Sequence, residues 1–213
     1  MNTDALIDAL ARTVTPVPAR SASRRLMLSL IGGTLITLAL ILSALPIRPD
    51  IASAIHSFAF WMKLSYTAAV GVLATRAMAR LARPEPVRLI AFWPVLLPLG
   101  ALAVIAIVQM SQTPTADWGA MWLGHTYRQC SARILLLSLP ILAAFFWWLR
   151  QLAPTRPRAG GAVAGLAAGG WGATLYGLHC PEVTALFVVT WYSLGMALGG
   201  IAGALLGHRS LRW

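Results

Sequence analysis

Apolar runs of roughly 18–22 residues recur along this chain, the length an α-helix needs to cross the hydrocarbon core of a bilayer. Six can be placed, at about residues 27–45, 58–79, 89–110, 133–149, 161–178 and 185–206, with ends good to ~2–4 residues. Pro94, Pro98 and Pro140 fall inside them, and neighbouring helices can satisfy the carbonyls a proline frees. A backbone in hydrocarbon must satisfy its own polar groups, so such runs read as helices. The expectation is an all-α, polytopic membrane protein with six transmembrane helices. Of its 213 residues 58% are hydrophobic and 11% charged, against about 25% charged in a soluble domain. That excludes an ordinary soluble enzyme, a disordered chain and a small disulfide scaffold.

The net charge of +11 invites a nucleic-acid reading. Sixteen of the seventeen basic residues are arginines, however, spread in short groups between the apolar runs rather than gathered in a basic domain. Thirteen of them lie in the tail, in alternate loops and at the end: Arg12, Arg20, Arg24, Arg25; Arg76, Arg80, Arg83, Arg88; Arg150, Arg156, Arg158; Arg209, Arg212. The remaining loops and span ends hold Arg48, Lys63, Arg128 and Arg133. The richer side faces the cytoplasm by the positive-inside rule, so both termini are expected there. Residues 1–25 then form a cytoplasmic N-terminal segment and residues 26–213 a six-helix membrane domain. Ser23-Arg24-Arg25-Leu26-Met27-Leu28 looks like a twin-arginine export signal, with Ser43-Ala44-Leu45-Pro46 as a cleavage site. The apolar run after it is longer than a signal core, and five more follow, which favours an uncleaved first helix.

The spans are chemically quiet. Lys63 sits about one turn from the outer end of the second, beside Trp61, and reads as a lysine that snorkels to the headgroups. No chain of buried acids marks an ion path, which disfavours a secondary transporter. Gly161, Gly165 and Gly169 recur every four residues in the fifth span, and Gly195, Gly199, Gly203 and Gly207 in the sixth. Small residues on one face let two helix backbones approach closely, so spans five and six are expected to pack tightly.

The tail carries a short amphipathic pattern. Thr3 can cap a helix in which Leu6, Ile7 and Leu10, with Val14 if it extends, share one face. Asp4, Asp8 and Arg12 share the other at i, i+4 spacing, and Pro16 and Pro18 end the pattern. A helix this short is marginal alone in water and would be ordered by a partner groove that takes its apolar face. The bland alternatives are a helix lying on lipid headgroups or a disordered tail.

The two cysteines, Cys130 and Cys180, fall just before span four and just after span five, in the company of His125, His179 and Glu182. A structural disulfide, a redox or metal sensor with those three as accessory groups, and two bystanders all fit the spacing. There is no Cys-x-x-Cys relay.

Several segments together resemble a known family. They are Asp4-Ala5-Leu6-Ile7-Asp8 with Pro16-Val17-Pro18, Arg48-Pro49-Asp50, Phe60-Trp61-Met62-Lys63, Leu152-Ala153-Pro154-Thr155-Arg156-Pro157, Leu178-His179-Cys180-Pro181-Glu182, Trp191-Tyr192 and Leu211-Arg212-Trp213. In this order the chain resembles the NrsF family, membrane-bound negative regulators of sigma F-type extracytoplasmic-function sigma factors. The resemblance implies six spans in the bacterial inner membrane and no enzymatic activity. It implies that the N-terminal segment, with Asp4, Leu6, Ile7, Asp8 and Leu10, holds the sigma factor. It also implies that Cys130 and Cys180 are the outward-facing cysteines needed for signalling, with no cofactor beyond a transient metal ion. Partners are then the sigma factor and membrane lipids, with no direct nucleic acid. A small transporter, a thiol-linked membrane enzyme and an assembly factor using the glycine faces are the alternatives.

Overall fold

The computed structural model describes residues 3–13, 19–45, 48–83, 89–152 and 154–211. Val14, Pro16, Val17, Pro18, Pro46, Arg88, Ala153, Arg212 and Trp213, named above, lie outside them. The described chain is helical, without a strand. Helix α1 is Thr3–Thr13, α2 is Ala19–Ala44, α3 is Phe58–Leu81 and α4 is Leu97–Ser111. The short α5 is Trp118–Leu123, followed by α6, Tyr127–Arg150, and α7, Pro157–Tyr176. Helix α8 runs over Ala185–Ser210.

Local chemistry sets several boundaries. Leu89–Leu96 is a 3-10 helix containing Pro94, and α4 begins only at Leu97 with Pro98 in its first turn. Pro94 lacks the N–H an α-helix needs, whereas Pro98 occupies a position whose N–H has no intrahelical acceptor. The expected third span is thus two helices of different pitch. Thr3, the expected cap, is itself the first helical residue of α1.

Among the described residues five segments are long and apolar enough to cross a membrane: Ser21–Ala44, Phe58–Leu81, Trp93–Ser111, Thr115–Arg150 and Ala185–Ser210. The expected fifth span, α7, is not among them. At 20 residues it is about 30 Å long, the thickness of a hydrocarbon core. Its composition is what differs, with six glycines and six alanines. Helix α7 packs against α3, α6 and α8. A helix enclosed by protein needs small side chains more than lipid-soluble ones.

Glycine contacts give the register. A Cβ at Gly161 would strike the carbonyl of Gly203, one at Gly165 the carbonyl of Gly199, and one at Gly169 would lie 2.8 Å from the Met196 Cα. Helices α7 and α8 therefore cross antiparallel with backbones in contact. Gly170 lies against Gly71 of α3 in the same way, with Thr174 Oγ1 donating to Thr67 Oγ1 at 3.0 Å. Gly195 departs from the expected stripe and faces Ile134 of α6, 2.9 Å from a built Cβ. Four residues turn an α-helix by about 400°, so each step drifts about 40°. Three steps from Gly207 carry the stripe about 120°, onto the next neighbour.

Helix α2 lies antiparallel to α6, with Thr37 Oγ1 donating to the Leu137 carbonyl at 3.0 Å and Gly33 against Ile141. At the end of the bundle where α2 begins, Trp148 Nε1 donates to the Ala22 carbonyl and Arg25 Nη1 to Gln151 Oε1, at 2.9 and 2.7 Å. Arg150 Nε reaches the Ser210 carbonyl at the same end. The antiparallel pairing also brings the C-terminal turn of α3, with Arg76 and Arg80, to this end beside Arg156 and Arg158. Most of the described arginines thus gather at one end, while Arg48, Arg128 and Arg133 lie with the cysteines at the other.

Replacing Gly165 or Gly203 by Ala should drive a methyl group into a backbone carbonyl. Overpacking of this kind costs about 1–3 kcal/mol, sometimes more, so both variants should melt well below the parent in detergent. Gly32→Ala and Gly100→Ala, where nothing lies within 4 Å, should melt like it. Fluorescence-detected size exclusion after a temperature series compares all four.

Candidate functional site

The Cys180-Pro181-Glu182 segment follows α7 and turns back over the ends of its neighbours. Its backbone and side chains make bonds to four helical segments, and these position the two cysteines. Lys63 of α3 donates from Nζ to the carbonyls of Cys180 and Glu182, at 2.7 and 3.1 Å. The Glu182 carboxylate accepts from the backbone N–H groups of His125 and Thr126 at 2.7 and 3.1 Å and from Thr126 Oγ1 at 3.1 Å. Thr184 Oγ1 donates to the Met121 carbonyl of α5, and the Ala185 N–H to Gln109 Oε1 of α4.

Glu182 acts as a helix cap supplied from a distant part of the chain. Thr126 precedes α6 but its side chain caps none of the helix's own N–H groups. Free N–H groups and the positive end of the helix dipole favour a carboxylate there. Gly124 makes room for it, with φ +53°, ψ −161°, and a Cβ there would lie 2.5 Å from Glu182 Oε2. Only glycine adopts that backbone conformation readily.

Cys130 lies in the first turn of α6, inside the helix rather than before it, because α6 starts two turns earlier than expected. Cys130 and Cys180 are fully buried free thiols, close enough for one to hydrogen-bond the other. Tyr176 and Tyr192 pack beside them with ring centroids 5.9 Å apart. Neither tyrosine hydroxyl reaches a partner at hydrogen-bond geometry among the described residues. Tyr192 belongs to a π-helical stretch, Val188–Tyr192, a distortion frequent at functional sites. Ser131 Oγ, next to Cys130, donates to the Trp191 carbonyl in that stretch at 2.8 Å.

Lys63 corrects the expected snorkelling lysine. It is 1% exposed and points into the bundle, its Nζ 5.8 Å from the Tyr192 ring centroid, and its charge acts on both thiols. A buried ammonium costs several kcal/mol unless its surroundings compensate it. Two carbonyls and a ring face do so here. Arg48, also buried, lies near enough to act on Cys180 and pairs with Asp50, its Nε 2.8 Å from Oδ1. Those hydrogen bonds hold the Asp50 carboxyl below the usual carboxylate range. The pair contributes above the ordinary carboxylate pKa and is lost as pH falls through the lowered one.

The candidate accessory groups do not converge with the thiols into a ligand set. The Glu182 carboxylate is committed to the start of α6. His179 Nε2 pairs with Arg133 Nη1 at 3.2 Å and its ring lies against Tyr176. His125 is exposed and is tied to Glu182 through its backbone N–H. Among the described residues no three His, Cys, Asp or Glu side chains gather to hold a metal ion. In the tail, Asp4, Leu6, Ile7, Asp8 and Leu10 are all exposed on α1, far along the chain from the cysteine end.

Glu182→Gln keeps the shape and removes the charge. Charge-assisted hydrogen bonds contribute about 1.5–3 kcal/mol each, so hydrogen exchange over residues 126–131 should rise markedly in this variant and in Gly124→Ala. Unchanged protection in Glu182→Gln would show that the carboxylate does not hold the first turn of α6.

No solved structure matches the chain. The family model described as NrsF, negative regulator of sigma F, matches residues 10–213. The chain is 42% identical to the anti-sigma-F factor NrsF of Caulobacter vibrioides (strain NA1000 / CB15N), over the whole of both chains. It is 35% identical to a probable anti-sigma-F factor NrsF of Azospira oryzae (strain ATCC BAA-33 / DSM 13638 / PS), again over the whole of both. With the family model covering all but the first nine residues, the chain belongs to the NrsF family of negative regulators of sigma F, regulatory proteins rather than enzymes.

Proposed function

We propose that this anti-sigma-F factor holds an extracytoplasmic-function sigma factor on α1 and releases it when Cys130 and Cys180 react at the opposite membrane face. The observation that carries the reading is the burial of two thiols together at the end of the bundle away from the start of α2, the helix that follows α1 in the chain. Helix α1, which precedes α2 in the chain, presents Leu6, Ile7 and Leu10 at 43%, 57% and 58% exposure. The positive-inside rule favours a cytoplasmic arginine-rich end, which supports a cytoplasmic α1 and cysteines on the periplasmic side of the inner membrane. Helices α2, α6, α7 and α8 alternate in direction along their antiparallel contacts, which supports α7 as a sixth crossing and both termini in the cytoplasm.

Helix α6 supplies the connection. It carries Cys130 in its first turn, while Trp148 and the adjoining Gln151 at its far end hold Ala22 and Arg25 of α2, the helix that follows α1. Joining the thiols as a disulfide, or bridging them with a soft metal ion, draws the start of α6 toward the Cys180 segment. A helix moves largely as a rod, so its far end shifts against α2. Releasing the sigma factor needs a difference between states of about 1–3 kcal/mol. A new covalent or metal–thiolate link is of sufficient size.

The full-length protein, solubilised in detergent from unstressed cells, should co-purify with a sigma factor. Leu6→Asp with Leu10→Asp should abolish the association while leaving membrane insertion intact. Recovery of the full-length protein without any sigma factor would overturn the reading of α1. Cys130→Ser and Cys180→Ser should each retain the sigma factor under stress, and normal release in both would remove the cysteines from the signal.

A further inference from the structure

We propose that Lys63 is a positioning residue for the thiol pair: its buried ammonium pins the Cys180 segment to α3 and supplies the positive charge that makes Cys180 reactive. The inference rests on the reading of Cys130 and Cys180 as the signalling pair and adds to it the group that tunes them.

Three observations carry it. Lys63 gives two of its N–H bonds to the carbonyls on either side of Pro181, those of Cys180 and Glu182. It therefore grips the backbone of the segment at the cysteine itself. It is 1% exposed, so no water shell screens its charge from the thiols. And no carboxylate among the described residues forms an ion pair with Lys63: Glu182 Oε1 accepts from the His125 and Thr126 N–H groups, although its charge still reaches Lys63 and Cys130. Carbonyl dipoles and the Tyr192 ring compensate the ammonium, and its charge acts on both sulfurs.

The other charged and titratable groups around Cys180 come from every element packed there. Arg48 adds positive potential from the loop after α2. Cys130 on α6, near enough to hydrogen-bond it, Tyr192 on α8 and Tyr176 at the end of α7 face it, with Arg133 beyond Tyr176 and the Glu182 carboxylate two residues on. A thiolate is the reactive form of cysteine, and an adjacent cation favours it. Arg48 is already paired with Asp50, whereas Lys63 has no ion-pair partner among the described residues.

The test uses the full-length protein in lipid nanodiscs with diamide as the oxidant. Diamide takes up two electrons and two protons from the two thiols, becoming the hydrazine as the disulfide forms. The rate is read by mass spectrometry after the remaining thiols are blocked. Lys63→Met and Lys63→Gln should slow disulfide formation about tenfold or more, the effect of one charge beside a thiol, whereas Lys63→Arg should stay within about threefold of the parent. Gln retains a donor for the Cys180 carbonyl, so it separates charge from tethering if the Met variant does not fold. Sigma-factor capture through α1 reports that each variant is assembled. A Gln variant as fast as the parent, or an Arg variant as slow as Met, would overturn the proposal. A stress response that persists without either cysteine would instead sink the signalling reading, and the rate comparison would still decide the role of Lys63.

Discussion

The contact between the backbones of α7 and α8 governs the arrangement of everything around it. Where Gly161 and Gly165 meet Gly203 and Gly199, no side chain separates the two helices. Lipid tails are as apolar as leucine, so burying apolar surface contributes little to joining helices in a bilayer. Close van der Waals contact between small residues does the work instead. Helix α7 extends the device on its other faces, with Gly170 against Gly71 of α3 and Gly172 against Ser138 of α6. Three neighbours can therefore converge on one thin helix, and the segment leaving its end reaches all of them within a few residues. The Cys180 segment is in bonding distance of α3, α5 and α6 because α7 is narrow.

That packing explains which parts of the fold were legible in the sequence. Helix positions follow from local apolar runs: α3 and α8 lie close to where those runs put them, and α2 ends where expected but begins eight residues earlier, in its arginine-bearing first turns. Hydropathy fails at α7 for the reason that makes α7 central, since glycine and alanine trade lipid solubility for close approach. Pitch is also hidden: the break between Leu89–Leu96 and α4 depends on how two prolines, four residues apart, fall relative to a helix start. The four-residue glycine repeat is visible, but the partner of each glycine depends on drift around the helix, which sends Gly195 to α6.

The candidate site divides along the same line. Two cysteines near one end of the bundle could be read from span order alone. The role of Lys63 could not. A lysine one turn inside a span, next to a tryptophan, has the local pattern of a residue reaching for headgroups. Its actual environment is made by carbonyls 117 and 119 positions away. Glu182 was read as a candidate ligand because it stands near a cysteine and a histidine, yet its oxygens serve backbone N–H groups 56 and 57 positions earlier. Buried polar groups are committed to whatever the fold brings within reach, and a single strand of sequence carries little record of that. One signal was available: a lysine among apolar residues in a chain with no other lysine, where arginine fills every other basic position. Lysine is the compact charge suited to a small, enclosed set of acceptors.

The arrangement also ties reactivity to geometry. Lys63 bonds the carbonyl of the residue whose sulfur it faces, and Glu182, two residues on, bonds the helix that carries the other sulfur. Any covalent change that pulls Cys130 and Cys180 together works against both attachments at once, because the segment between them is short and contains Pro181. A proline fixes one backbone dihedral and so limits how the strain can be absorbed locally. In the proposed mechanism the displacement would pass to α3 through Lys63 and to the start of α6 through Glu182. Helix α6 then has its far end against the start of α2, where Trp148 and the adjoining Gln151 hold Ala22 and Arg25. A signal reaching the tail by the proposed route would move α6 as a rod, with buried polar bonds carrying the displacement at both of its ends.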